Sequence, residues 1–83
     1  MTSLSKPRPV QEFRVGAVKA AIWKREHEGQ TFYNVSIDRS YKQNEQWKRT
    51  SSFSKDELAI VADLAKRAEA YIDAAEAKLK QSV

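Results

Sequence analysis

Residues 31–53 read TFYNVSIDRSYKQNEQWKRTSSF. Tyr33, Val35 and Ile37 alternate with Asn34, Ser36 and Asp38, the period of two that marks a strand with one buried and one wet face. A polar turn, KQNEQ at 42–46, separates this run from a second one that begins at Trp47. Asn44 tolerates a left-handed turn conformation, so a three-residue loop over 43–45 sets Tyr41 opposite Trp47. Arg39 then faces Arg49, Ile37 faces Ser51 and Val35 faces Phe53. Like charges directly opposite on a sheet repel. Arg39 and Arg49 in that position, beside an aromatic pair, make sense where an anion lies over them. A slip of one residue would send the two arginines to opposite faces.

Upstream, residues 13–26 read FRVGAVKAAIWKRE, with Val18, Ala20 and Ile22 on one face and Lys19, Ala21, Trp23 and Arg25 on the other. His27, Glu28 and Gly29 fit a two-residue loop with glycine in a left-handed bulge position. With Glu26 opposite Gly29, Ile22 meets Tyr33, Ala20 meets Val35 and Val18 meets Ile37. On the other face Trp23 meets Phe32, Ala21 meets Asn34 and Lys19 meets Ser36. One register satisfies both faces, which supports the hairpin. The expectation is a three-stranded antiparallel meander, with residues 10–15 supplying a fourth strand if the chain bends at Gly16. Residues 1–11 hold both prolines, Pro7 and Pro9, and read as a flexible, mildly basic arm. Residues 12–83 then form the single domain.

Downstream, Ser54 and Glu57 stand three residues apart in a capping box, and Phe53 and Leu58 hold the two positions of a hydrophobic staple. A helix follows to about Lys80 without glycine or proline. Leu58, Val61, Ala65, Ala68, Ile72, Ala75 and Leu79 keep a three-four spacing, widened by Ile60, Leu64 and Tyr71. Such a helix is about 38 Å long, against about 25 Å for strands of seven or eight residues. It overhangs the sheet, and its stripe of Ala65, Ala68, Tyr71, Ile72 and Ala75 needs a cover. A second copy of the chain, a homodimer through the helix, is the simplest one.

At 83 residues the chain is one α+β domain with a modest core. It has no cysteine, so no disulfide or thiolate-bound metal staples it. No apolar run approaches the roughly 20 residues that cross a bilayer, and residues 1–11 lack the apolar stretch of a signal peptide. A soluble, cytoplasmic protein is expected. The net charge is +4 and is lopsided: residues 1–53 hold ten Lys/Arg against five Asp/Glu, and residues 54–83 five against six. A basic sheet points to a polyanionic partner.

Catalysis has little to stand on. The single histidine, His27, falls in a turn; no metal-ligand spacing appears and no nucleophile comes with an evident base. Neither cofactor nor small-molecule substrate is expected. Single-stranded nucleic acid asks for cations that follow phosphates and flat rings on which bases stack. The sheet carries both: Lys19, Lys24, Arg25, Arg39, Lys42, Lys48 and Arg49 with Trp23, Phe32, Tyr41 and Trp47. Of these cations Lys19, Arg25, Arg39, Lys48 and Arg49 are the expected contacts. The register above puts Lys19, Trp23, Phe32, Asn34, Ser36, Lys48 and Thr50 on the open face, with Arg39, Tyr41, Trp47 and Arg49 at the hairpin tip. The alternative is a protein-interaction module that uses the exposed rings and the helix stripe.

The run from Val35 to Tyr41, the polar turn, Trp47, a basic strand and the helix opening at Ser54 together resemble the transcriptional-coactivator (positive cofactor four) and Whirly type of single-stranded-DNA-binding protein. The likeness covers about residues 18–64. It implies a curved antiparallel sheet, a helix that dimerises, and binding of single strands on the sheet, with Arg39, Tyr41, Trp47 and Lys48 as strand-hairpin contacts. The third strand departs from that family in reading KRTSS at 48–52, without the lysine-glycine-rich stretch, and the helix is longer. The chain is also similar to short bacterial proteins that carry Ile-Trp-Lys, Phe-Tyr-Asn-Val and Arg-Ser-Tyr-Lys.

Overall fold

A computed structural model describes residues 8–81, with side chains as far as Leu79. Four strands, β1 (Gln11–Val15), β2 (Val18–His27), β3 (Gln30–Gln43) and β4 (Gln46–Thr50), precede one helix, α1 (Lys55–Gln81). The sheet is antiparallel in the order β1-β2-β3-β4, a four-stranded meander followed by a long helix. The arm expected over residues 1–11 lies outside the described residues as far as Pro7, and Gln11 already belongs to β1.

Three two-residue turns make the meander. Val15 pairs with Val18 across Gly16 and Ala17, with Gly16 at φ 60. His27 pairs with Gln30 across Glu28 (φ 52) and Gly29 (φ 79). Gln43 pairs with Gln46 across Asn44 (φ 52) and Glu45 (φ 66). Positive φ at both central residues, as in the second and third turns, is the type I′ turn; the first, with positive φ at Gly16 alone, has glycine where a type II′ turn needs it, and both types match the twist of the flanking strands.

These turns correct the expected registers. Between β2 and β3 the partners are Ile22 with Val35, Ala20 with Ile37 and Val18 with Arg39, two residues from the alignment in which Glu26 faced Gly29. A shift of two leaves every side chain on its expected face. Trp23 now lies opposite Asn34, and Phe32 opposite Arg25, so the two rings are diagonal neighbours instead of a direct pair. Between β3 and β4 the partners are Arg39 with Thr50, Ser40 with Arg49, Tyr41 with Lys48 and Lys42 with Trp47. That is a slip of one, so β4 turns over. Arg39 and Arg49 do not face each other; they lie on opposite sides of the sheet. The cause is the turn, which takes two residues where three were expected. Separating the like charges removes their repulsion and gives each a carboxylate: Arg39 Nε lies 3.1 Å from Glu57 Oε1, and Arg49 Nη1 lies 3.8 Å from Asp38 Oδ2.

β3 is the spine. It pairs with β2 over Gln30 to Arg39 and with β4 over Arg39 to Gln43, so the two hairpins extend to opposite ends and overlap only at Arg39. The helix packs on β2, β1 and β3; among the described residues it does not reach β4. Val18, Ala20 and Leu64 form the buried centre, with Phe13, Val15, Ile37, Phe53, Ile60 and Val61 packed against it. Ile22 and Ala68 are also buried. At the start of α1, Glu57 Oε1 accepts the Ser54 N–H at 2.9 Å, one half of the expected capping box. The same carboxylate forms an ion pair with Arg39, whose Nε lies close to it without hydrogen-bond geometry and whose Nη2 donates to the Ser52 carbonyl at 3.4 Å. Glu57 therefore ties the helix start to the middle of β3. Phe53 joins the core, whereas Leu58, its expected staple partner, is 54% exposed.

Candidate nucleic-acid interface

The sheet has one face under the helix and one open face. Strand alternation and register assign the side chains. Glu12 and Arg14 from β1 stand on the open side. With them are Lys19, Ala21, Trp23 and Arg25 from β2, and Phe32, Asn34, Ser36, Asp38, Ser40 and Lys42 from β3. Trp47 and Arg49 from β4 complete the face. Five cations and two carboxylates thus share one surface with three aromatic rings.

The expected residues divide accordingly. Lys19, Trp23, Arg25, Phe32, Trp47 and Arg49 come together on the open face. Arg39, Tyr41 and Lys48 do not: they lie on the helix side, where the Arg39 guanidinium carbon sits 5.8 Å from the centre of the Tyr41 ring, a cation–π distance. Thr50 also turns to the helix side. Lys24, also among the expected sheet cations, falls by alternation on the helix side, whereas Lys42, another of them, and Arg14, which was not, belong to the open face. The signal for these two is present in the sequence: Arg14 alternates with Phe13 and Val15, and Lys42 keeps the even-numbered phase of β3.

Local interactions hold the face in shape. Trp23 Nε1–H donates to Ser36 Oγ at 3.0 Å. The indole thereby leans across Ala21, which accounts for that alanine being buried although it points away from the core. Lys19 Nζ lies 3.8 Å from Glu12 Oε2. Asp38 meets Arg49 through Oδ2, and its buried Oδ1 has no hydrogen-bond partner. Among the described residues Arg14, Arg25 and Lys42 have no ion pair. Trp47 is 72% exposed and Phe32 47%. An open hollow beside Trp23 is lined by Arg8, Lys24, Arg25 and Asn34.

On the helix side the stripe expected to face a second copy is only partly free. Ala68 is 1% exposed, spent in the chain's own core. Tyr71, Ile72 and Ala75 are half-buried and Ala65 is exposed. Ala65 and Ile72 join Val35 and Ile37 in an apolar groove of about 330 Å³ rimmed by Glu69 and Asp73. Among the described residues no three His, Cys, Asp or Glu side chains are grouped to hold a metal ion, and no helix is long and apolar enough to cross a membrane. Comparison with protein-family models, curated proteins and solved structures returned no match.

Proposed function

We propose that this protein is a non-enzymatic binder of single-stranded nucleic acid, DNA ahead of RNA, with little sequence preference, and that the open face of the sheet is its site. One observation carries the reading: the rings and the surplus cations share the face that the helix leaves bare. Trp47 is the most exposed large hydrophobic side chain among the described residues, at 72%. An exposed ring beside Lys42 and Arg49 matches what a base and its phosphate require. Stacking on a ring accepts any base, which fits little sequence preference.

The test is tryptophan fluorescence during titration with poly-thymidine at two salt concentrations. Both tryptophans, Trp23 and Trp47, lie on the proposed site. The reading expects quenching that weakens steeply with salt. Fluorescence unchanged at low salt would transfer the face to a protein partner, whose binding should respond little to salt.

The helix side supports a homodimer as part of the same proposal. One helix, about 10 Å across, covers about two strands spaced 4.8 Å apart, and α1 rests mainly on β1 and β2. Val35 on β3 is left 39% exposed in the groove. The groove rim is acidic, at Glu69 and Asp73, while a smaller recess on the same helix, at Tyr71, Ala74 and Ala75, carries Lys78. Two antiparallel copies would match acid with base in both directions, as a two-fold interface requires. Sedimentation equilibrium is expected to give twice the chain mass, and Ile72→Lys half of that value; a wild-type monomer at high micromolar concentration would remove the dimer and leave the sheet site standing.

A further inference from the structure

The rings of the open face are gathered at its two ends, and this arrangement deepens the proposed function, on which the inference rests. Trp23 stands opposite Asn34, and Trp47 opposite Lys42. Eight residues of β3 separate those positions, about 26 Å at the rise of an extended strand. Around Trp23 are Phe32, Arg25 and Arg8; around Trp47 are Lys42 and Arg49. Between the two groups β3 offers only Ser36, Asp38 and Ser40. The middle thus holds no ring: Lys19 opposite Asp38, Arg14 beside it and Arg49, 3.8 Å from Asp38 Oδ2, offer cations for the phosphates but nothing on which a base could stack.

The two platforms also differ in kind. Trp23 is held by its hydrogen bond to Ser36 and leans on the sheet, so its ring is ordered before any ligand arrives. Trp47, on the edge strand and 72% exposed, has its ring face clear for a base. We propose that the site takes one extended strand that stacks bases on both platforms at once and passes over Asp38 without base contacts. Its ligand class is therefore unpaired strand above a minimum length. At the 3.4 Å per nucleotide of a stacked strand the gap corresponds to about eight nucleotides, and to fewer where the strand is stretched. Linking two such contacts in one ligand raises affinity through effective concentration, without any new contact.

Wild-type protein and 12-mers of constant phosphate number test this. One oligonucleotide has four thymidines at each end and four abasic nucleotides between. A second has its thymidines only in the middle, and a third only at one end. The first is expected to bind about as tightly as a full thymidine 12-mer, and about tenfold or more tighter than the other two. Single-tryptophan variants Trp23→Phe and Trp47→Phe should both be quenched by the first oligonucleotide. Equal affinity for all three 12-mers, or best binding to the one with central thymidines, overturns the two-platform site while leaving nucleic-acid binding intact. Quenching of only one reporter does the same. Failure of every oligonucleotide, the full 12-mer included, to bind at low salt overturns the underlying function instead.

Discussion

Lys48 and Arg49 are adjacent cations, yet the sheet sends them to opposite sides. Lys48 stands opposite Tyr41 on the helix side, and Arg49 opposite Ser40 on the open side. Replacing either with glutamine removes one positive charge at nearly the same point in the chain. Long-range attraction for a polyanion is therefore almost equal in Lys48→Gln and Arg49→Gln, and a difference between them reports the face. The open face holds five cations: Arg14, Lys19, Arg25, Lys42 and Arg49. With all five on phosphates, single-strand binding should fall with salt at a slope of about −3.5, since each contact contributes about −0.7. Going from about 50 to about 200 mM salt then weakens binding about a hundredfold. Arg49→Gln should lower the slope to about −2.8 and cost about fivefold in affinity near 0.1 M salt. Lys48→Gln should leave both close to wild type. Fluorescence titrations of a thymidine 12-mer at four salt concentrations measure the slopes. A loss confined to Lys48→Gln would refute the reasoning, because it would mean that β4 sits in the other register. Equal losses would refute it too, since the open face would then contribute nothing beyond net charge.

Three further expectations concern stability. Glu45 occupies a left-handed conformation, φ 66, which costs a side-chain-bearing residue about 1–2 kcal/mol; Glu45→Gly completes an Asn-Gly turn and should stabilise by about 0.5–1 kcal/mol after glycine's greater unfolded-state entropy is subtracted. Thermal melting should show a rise of about 3–6 °C, and a fall would mean that the turn is not type I′. Leu64→Ala empties a fully buried position between helix and sheet and should cost about 2–5 kcal/mol, a large part of what a domain this size possesses. Urea denaturation measures it, and a cost under about 1 kcal/mol would argue against the helix lying on Val18 and Ala20. Arg39→Gln removes the tie to Glu57, which is about three-quarters buried on both sides, and should destabilise by about 1 kcal/mol. A double-mutant cycle with Glu57→Gln should recover most of that coupling, and additivity of the two single changes would sever the proposed link.

The legible part of this protein was whatever depends on local pattern. Alternation at residues 33–38 and 18–25 identified two strands and divided their side chains between core and open face. That division holds although the β2–β3 alignment differs from the expected one by two residues, because a strand repeats every two. Ser54 and Glu57 announced the start of the helix, since a capping box is satisfied within four residues. By strand alternation Lys19, Trp23, Arg25 and Phe32 share one face in either β2–β3 register. The face of β4 was not legible. It hangs on whether the loop takes two residues or three, and the deciding feature, Glu45 at positive φ, runs against that residue's own preference. Tertiary forces decide it: Arg39 reaches Glu57 on the helix, Arg49 reaches Asp38 across the strand, and two like charges part. Arg39, Tyr41 and Lys48 therefore went to the helix side, and Trp47 and Arg49 to the open face. The burial of Ala68 and the exposure of Val35 depend likewise on where a single helix comes to rest on four strands. Local order was thus written in neighbouring residues, whereas the makeup of the candidate site came from contacts that close only when sheet and helix meet.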